Sequence, residues 1–200
     1  VLARVPGAPT GSHGSSLFLV PKLLNQGQAN GVACDGIEHK MGIRGSSTCS
    51  LVFDAAQGWL IGEVNRGLKA MFVMMNSARL HVGLQGLGHC EAAWQNCRSY
   101  ASERQQMRAP LRPAGVVAQA ADPIHYHPAM RRVLLELRAT SEGMRAIGYW
   151  VAHLLDQAEH DPQLMARQQA GQLAQLLTPI IKAFFTEQGF RQASNALQVF

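Results

Sequence analysis

Two arginines, Arg79 and Arg104, are the side chains whose type and spacing best suit ligand binding. Arg79 shares one face of a predicted helix with four apolar or small residues, Leu68, Phe72, Met75 and Gly86. A guanidinium on an apolar stripe needs a partner. Its partner could be a buried carboxylate, water reached by snorkelling, or an anionic or carbonyl-bearing ligand in a cleft beside the helix.

Arg104 follows Arg79 on the same predicted helix and on nearly the same face. At 1.5 Å of rise per residue, the two guanidinium groups are separated by about 37 Å along the helix. They cannot both hold one compact ligand from a single helix. If both arginines bind ligands, they serve different sites or sites in different subunits.

Other candidate motifs are weaker. His125 and His127 form an HxH pair on a predicted loop, but no third or fourth ligand is near in sequence, so no metal site is predicted. The sequence contains no GxGxxG, no GxSxG and no pair of carboxylates at catalytic spacing. No catalytic residue can therefore be assigned from motifs.

Hydrophobic periodicity divides the chain into a β segment and a helical segment. Residues 1 to about 61 contain short apolar or alternating runs punctuated by glycines, including Ser16–Val20, Gly31–Cys34 and Ser47–Ile61. Within the last run, Cys49, Leu51 and Phe53 alternate as in a half-buried strand. The run of strands has no closing partner, and the chain begins at Val1 within a predicted strand. Both features suggest a piece of a longer protein.

Three long helices are predicted beyond residue 62. The first runs to Arg104 and the second from about Pro128 to His160, with a loop at 109–127 before it. Asp161 and Pro162 are predicted as N-cap and N1 of the third, which continues toward Phe200. Its stripe is Leu164, Leu173, Leu176, Leu177, Ile180, Ile181, Phe184 and Phe185. The fold class is α+β, mainly α: a partial antiparallel β segment followed by long antiparallel helices of a bundle.

Composition excludes several classes of protein. The chain has 200 residues, 47% of them hydrophobic, and a formal net charge of +5. Its basic residues are mostly dispersed, which argues against nucleic-acid binding, and no apolar run is long enough to cross a bilayer. The four cysteines (Cys34, Cys49, Cys90 and Cys97) form no CxxC motif. They are interpreted as small buried hydrophobic residues in a reducing cytoplasm.

The order of several motifs resembles the flavin-dependent acyl-CoA dehydrogenases over essentially the whole chain. Lys40-Met-Gly-Ile-Arg-Gly-Ser-Ser-Thr48 is followed by a Gly-Glu-x-Asn-Arg-Gly-Leu-Lys turn, the helix with Asn76-Ser-Ala-Arg79, the helix end Tyr100-Ala-Ser-Glu-Arg104, and the ending Gln198-Val-Phe200. The long loop at 109–127 is similar to the large bacterial branch that includes 3-methylmercaptopropionyl-CoA dehydrogenase.

This resemblance implies a fold and an activity. Residues 1–61 would be the C-terminal part of the family's β middle domain, and residues 62–200 most of its C-terminal four-helix domain. The implied reaction is FAD-dependent α,β-dehydrogenation of an acyl-CoA thioester to the trans-2-enoyl-CoA. The implied partners are an electron-transfer flavoprotein and further copies of the chain, in a dimer or tetramer in the bacterial cytoplasm.

The resemblance also implies roles for individual residues. Asn76 and Arg79 match the helix positions that face acyl-CoA. Arg104 matches an arginine that reaches the FAD of a neighbouring subunit. His127 falls near a further FAD-contacting pair, with Pro128 where glutamine is usual. The last three residues match the start of the family's Gln-x-x-Gly-Gly-x-Gly FAD segment: Gln198, Val199 and Phe200.

The family's general base has no counterpart in these 200 residues. In most members it is a glutamate beyond the glycine segment, and in a minority it stands just before the arginine, where this chain has Ala78. We therefore expect an inactive fragment that binds FAD weakly or not at all. One alternative is a non-catalytic helical oligomerisation or interaction module on the same scaffold. A more remote one is a DNA-associated relative of the family.

Overall fold

The computed structural model describes residues 1–117 and 119–200. Within them the backbone forms two compact units, Val1–Met75 and Asn76–Phe200. The first unit contains the strands and the second most of the helices, as the α+β, mainly α prediction requires.

The first unit contains two small antiparallel sheets. Strands β1 (Leu2–Ala3), β2 (Ser16–Leu19) and β5 (Trp59–Ile61) form one sheet, in the order β1-β2-β5. Strands β3 (Val32–Ile37) and β4 (Cys49–Phe53) form a separate hairpin. The prediction that β4 is half-buried is wrong, because every one of its residues is exposed.

A buried asparagine holds the loops of the first unit together. Asn30 is only 4% exposed, and its Nδ2 donates to the carbonyl oxygens of Pro21 at 2.7 Å and Gln57 at 2.8 Å. Its Oδ1 accepts from the Gln57 backbone N–H at 2.7 Å. The amide thus satisfies three groups that burial would otherwise leave unpaired.

Helix α1 (Gly67–Glu103) begins within the predicted turn at 62–69 and ends next to Arg104, as predicted. Gly62 and Asn65 have positive φ angles of 75° and 63°, which a right-handed helix cannot contain. The Asn65 N–H donates to Ser16 Oγ at 2.8 Å, and the Gly67 N–H to the Ser15 carbonyl at 2.8 Å. A Cβ at Gly67 would overlap the backbone of Ser16, so only glycine permits this approach.

The second unit packs α1 beside α2 (Pro128–His160) and α3 (Leu164–Ala196). The predicted bounds of α2 are confirmed. The prediction for the start of α3 is wrong: Gln163 is the N-cap, and Asp161 Oδ1 instead accepts from the Gln163 N–H at 2.8 Å. The helix also ends at Ala196, and a turn leads from there to Phe200.

Two clusters of buried side chains form the core of the second unit. One includes Leu80, Cys90, Met144, Ile181 and Phe185. The other is Cys97, Ala101, Ile124, Leu137, Ala196 and Val199. The interpretation of all four cysteines as buried is therefore half right, because Cys34 and Cys49 are exposed. The hairpin that carries them has no layer over it within its own unit.

Backbones of α1 and α3 approach closely at two glycines. A Cβ at Gly86 would overlap the Phe185 carbonyl oxygen, and one at Gly189 would lie 2.6 Å from the Gly86 carbonyl oxygen. Such contacts require glycine on both helices, because any larger side chain would force them apart. Among the described helices, none is long and apolar enough to cross a membrane.

Candidate functional site

One cavity of the second unit gathers most of the residues assigned to the cofactor. It has a volume of about 340 Å³ and lies among the segment after α1, the start of α2 and the last residues of the chain. Its lining includes four predicted residues, His127, Gln198, Val199 and Phe200. The others are Gln106, Met107, Ile124, Ala129 and Met130.

His127 is the N-cap of α2 and is fixed by a backbone contact. Its Nε2 lies 2.8 Å from the Gln106 carbonyl oxygen, which can only accept a hydrogen bond. Nε2 therefore carries the proton, and in the neutral ring Nδ1 is left as an acceptor. The ring can thus offer an acceptor nitrogen to a ligand while its other nitrogen stays bound to the protein.

Backbone hydrogen bonds to the end of α3 hold the last residues of the chain in place. The N–H of Gln198 donates to the Asn195 carbonyl at 3.1 Å, and that of Val199 to the Ala196 carbonyl at 3.0 Å. Val199 is 4% exposed and anchors this turn in the core. The Phe200 ring lies 4.8 Å from the Tyr100 ring, centroid to centroid. The Gln198 side chain is left exposed at the cavity.

A buried carboxylate organises the segment between α1 and α2. Asp122 is 1% exposed and accepts from Arg112 Nε at 2.8 Å and from the Ala109 N–H at 2.8 Å. The hydrogen bond from Arg112 is the main reason why the pKa of Asp122 lies below its ordinary value. The Asp122 carbonyl also accepts from the Gln106 N–H at 3.0 Å. This network fixes the cavity wall that includes Gln106 and Met107.

Arg104 follows the last residue of α1 and does not line the cavity. Its N–H donates to the Tyr100 carbonyl at 2.8 Å, and its carbonyl accepts from the Ile124 N–H at 2.9 Å. The residue is exposed, so a fixed backbone presents a solvent-accessible guanidinium two residues before Gln106. This position suits an anion that extends beyond the cavity.

Asn76 and Arg79 form a separate pair near the other end of α1. Arg79 Nη1 donates to Asn76 Oδ1 at 3.4 Å, so the two side chains meet across one helical turn. Arg79 is half-buried and Asn76 is exposed. The helix is continuous from Arg79 to Glu103, about 36 Å of rise. The structure therefore does not bring this pair together with the cavity.

Several lining residues were not identified from the sequence. Gln106, Met107, Ala129 and Met130 belong to none of the motifs found in the sequence. Met107 has a φ of 56°, an unfavourable angle that turns the chain here. No group of three or more His, Cys, Asp or Glu residues within the described chain could hold a metal ion. His125 Nδ1 lies 3.0 Å from the Ala101 carbonyl oxygen instead.

Comparison with known proteins identifies the class. The family profile of the acyl-CoA dehydrogenase C-terminal domain matches residues 65–200. The chain therefore belongs to the acyl-CoA dehydrogenase family, whose members are flavoprotein oxidoreductases.

Curated relatives extend the match to the first unit. The chain is 46% identical over 204 residues to 3-methylmercaptopropionyl-CoA dehydrogenase of Ruegeria pomeroyi, covering 100% of the chain and 34% of the relative. It is 34% identical to a broad-specificity linear acyl-CoA dehydrogenase of Mycobacterium tuberculosis, covering 99% of the chain and 34% of that relative. The chain thus spans about a third of the length of these relatives.

Solved structures share the fold. The apo form of Bd2924 superposes with a TM-score of 0.81 at 25% identity, over 100% of this chain and 36% of that one. Caenorhabditis elegans ACDH-11 in complex with C11-CoA gives a TM-score of 0.79 at 23% identity, over 95% of this chain and 29% of that one. The predicted family and fold are confirmed.

Proposed function

We propose that this chain is the scaffold part of an FAD-dependent acyl-CoA dehydrogenase that converts an acyl-CoA thioester to the trans-2-enoyl-CoA. Residues 1–61 would belong to the middle domain and residues 62–200 to the C-terminal helical domain. The start of α1 at Gly67 and the family match from residue 65 support this division. The chain matches only about a third of the length of its relatives. This supports the proposal that the activity belongs to a longer protein.

The observation that carries the proposal is the cavity shared by His127, Gln198, Val199 and Phe200. These residues come from two distant parts of the chain. The family resemblance assigns them to FAD as two separate features, His127 and the ending Gln198-Val-Phe200. Their presence in one cavity, in a chain of this family, supports a single flavin contact site.

The cavity fits one end of FAD rather than the whole dinucleotide. Its volume of about 340 Å³ is at the lower end of small-molecule sites. The lining offers flat apolar contact from Phe200 and Met130, an amide at Gln198 and an acceptor nitrogen at His127. Arg104 lies outside the lining and would bind a phosphate. When bound, FAD would supply the acceptor for the hydride that leaves the β-carbon.

Asn76 and Arg79 would bind the acyl-CoA side of the reaction. Their hydrogen-bonded pair offers an amide and a guanidinium on one face of α1, which suits a thioester carbonyl or an anionic group. Ala78 between them has no titratable group, so it cannot take the α-proton. We propose that the base comes from another part of the longer protein and that the 200-residue polypeptide alone has no turnover.

Self-association is proposed from an exposed apolar face of α3. Leu176, Ile180 and Phe184 follow a four-residue spacing and are 61%, 52% and 46% exposed. A continuous apolar ridge of this kind is typical of an interface with another helix. A homo-oligomer would cover this ridge. From the family resemblance we also propose an electron-transfer flavoprotein as the electron acceptor and the bacterial cytoplasm as the location.

The same ridge favours a second candidate, a non-catalytic helical oligomerisation or interaction module. Both candidates predict association, but only the first predicts flavin in the longer protein. A stable oligomer of that protein without flavin absorbance would favour the module.

The test is an assay of acyl-CoA oxidation by the longer protein. Dye reduction and enoyl-CoA formation are the two quantities measured. Arg79→Ala should raise KM about tenfold to hundredfold, because a hydrogen bond to a charged group contributes about 1.5–3 kcal/mol. Arg98→Ala, which changes an exposed arginine elsewhere on α1, should leave KM unchanged. Turnover by the 200-residue chain itself would refute the proposed location of the base outside it.

A further inference from the structure

Two free thiols share one face of the β3–β4 hairpin. The strand register pairs Cys34 with Leu51 and Ile37 with Cys49. Side chains two residues apart on a strand point to the same face, so Cys49 lies on the face of Leu51. Cys34 faces Leu51 directly and is therefore a diagonal neighbour of Cys49.

A β-bulge interrupts strand β3 next to Cys34. The register shifts between Cys34 and Gly36, which leaves Asp35 as the additional residue. Desolvation and, after it, the nearby Cys34 thiol raise the pKa of Cys49. The Cys34 thiol lies 3.5 Å from the Gly36 carbonyl oxygen, to which it donates. The strand register thus places the two cysteines next to each other on one face of the hairpin.

Exposure separates this pair from the other two cysteines. Cys34 and Cys49 are exposed, whereas Cys90 and Cys97 are buried. Burial raises the pKa of Cys90 to about 11, so this thiol stays protonated and inaccessible at neutral pH. The chain therefore contains an accessible thiol pair together with two buried thiols that serve as internal controls.

The chemistry that two adjacent accessible thiols support is disulfide formation. A metal site would need further ligands, and the described residues place no third Cys, His, Asp or Glu with them. We propose that Cys34 and Cys49 form a reversible disulfide and that this hairpin is a site of oxidative modification.

A small disulfide such as oxidised glutathione is the oxidant in this reaction. One cysteine thiolate attacks a glutathione sulfur, which forms a mixed disulfide and releases one reduced glutathione. The second cysteine then attacks the protein sulfur of that mixed disulfide, forms the Cys34–Cys49 bond and releases the second glutathione. Two electrons pass from the protein thiols to the oxidant, and the two thiol protons end on the two molecules of reduced glutathione.

The bond would tie together the ends of the hairpin tip, residues 38–48. This tip carries His39, Lys40 and Arg44, which line a cavity of about 230 Å³. Oxidation would restrict the conformations of this basic segment, because a disulfide constrains the loop that it closes. Reduction would release it.

Peptide mapping of the unmodified 200-residue chain tests the proposal. The protein is treated with oxidised glutathione, the remaining thiols are alkylated, and trypsin is added without reductant. Cleavage after Lys40 and Arg44 separates the two cysteines, so peptides 23–40 and 45–66 stay joined only through a disulfide. The neighbouring thiol acts at an effective concentration of about 1 mM or more. With free glutathione about tenfold lower, the joined peptides should exceed the mixed disulfides about tenfold.

Single variants provide the matched control. In Cys49→Ser, Cys34 should accumulate the glutathione adduct because no second thiol resolves it, while Cys90 and Cys97 remain unmodified. The proposal is overturned if the wild-type chain keeps separate adducts on Cys34 and Cys49 at the level of the single variants. It is also overturned if the cross-links join different chains.

Discussion

Helices α2 and α3 have equal lengths, 33 residues each, but bury opposite kinds of side chain. The buried face of α2 consists mainly of large apolar residues, with Leu137, Met144, Val151 and Leu154 on one stripe. The buried face of α3 is mostly small or polar: Ala170, Ala174, Thr178, Gly189, Gln192 and Ala196, with only Ile181 and Phe185 as large apolar members.

The difference follows from what each helix packs against. Near Gly86 and Gly189 the backbones of α1 and α3 are in contact, which leaves no room for large side chains. Leu173 and Leu177 of α3 pack against the core at partial burial, whereas Leu176, Ile180 and Phe184 are exposed. The apolar residues of a helix therefore show that some of its faces need burial. They do not show which of those faces is buried within the same unit.

Adjacent phenylalanines on α3 provide the largest contrast. Phe185 is fully buried and Phe184 is 46% exposed. Phe185→Ala should lower the free energy of unfolding by about 3–5 kcal/mol, because it leaves a cavity in the core. Phe184→Ala should cost less than about 1 kcal/mol in the monomer. Urea unfolding of both variants checks this contrast, and equal losses would mean that the buried face of α3 is misassigned.

Glycines on α1 give the second contrast. Gly86→Ala should destabilise the protein by about 1–3 kcal/mol, because the new methyl group would overlap the Phe185 carbonyl oxygen. Nothing lies within 4 Å of a Cβ at Gly88. Gly88→Ala should therefore stabilise the helix by up to about 1 kcal/mol through propensity alone. Thermal unfolding curves of the two variants should move in opposite directions, and a stabilising Gly86→Ala would refute the close crossing.

The contact of Glu91 on α1 with Ser141 and Arg145 on α2 predicts that the stability of the fold depends on pH. Hydrogen bonds from Ser141 and then Gln95, with Arg145 at 2.7 Å, lower the pKa of Glu91. A carboxylate with a depressed folded-state pKa stabilises the fold above its unfolded pKa of about 4.3 and loses that contribution as pH falls through the folded value. The stability difference between wild type and Glu91→Gln should be largest near neutral pH and should shrink below about pH 4.3, as pH falls through the folded-state pKa of Glu91.

An exposed pair on α2 is the control for that pH series. Arg138 and Glu142 form a 2.8 Å ion pair with side chains 57% and 63% exposed. Glu142→Gln should therefore change stability less than Glu91→Gln at neutral pH, because water screens the pair. A Glu91→Gln effect that is the same at all pH values would contradict the assigned role of the carboxylate.

Surface substitutions on α3 should have the smallest effect on stability. Leu176→Gln combined with Ile180→Gln should change the free energy of unfolding by less than about 1 kcal/mol, because both side chains are already exposed. The same double variant should shift the sedimentation profile toward the monomer if this ridge mediates association. A wild-type chain that sediments as a clean monomer would count against the interface.

Local sequence signals predicted the elements better than their ends. The bounds of α2 were predicted as observed, and Asn76 and Arg79 lie one helical turn apart, as their spacing indicates. The start of α1 depends on the positive φ of Asn65 and on contacts with distant Ser15 and Ser16, which no local pattern encodes.

Sequence reasoning about the site depended on the family pattern. That pattern assigned His127 and the last three residues to the flavin, and the structure adds that they line one cavity. Gln106 and Met107 reach this cavity only because buried Asp122 fixes the intervening segment. Exposure of Cys34 and Cys49 was not predictable either, because it depends on what covers the hairpin rather than on residue type.

The most direct test of the account is the flavin-to-protein ratio of the proposed longer protein. We predict that Arg104→Ala weakens FAD binding about tenfold to hundredfold, because a charge-assisted hydrogen bond to phosphate contributes about 1.5–3 kcal/mol. Arg108→Ala changes another exposed arginine of the same segment and should retain wild-type flavin. Equal flavin retention by both variants would contradict the assignment of this site to FAD.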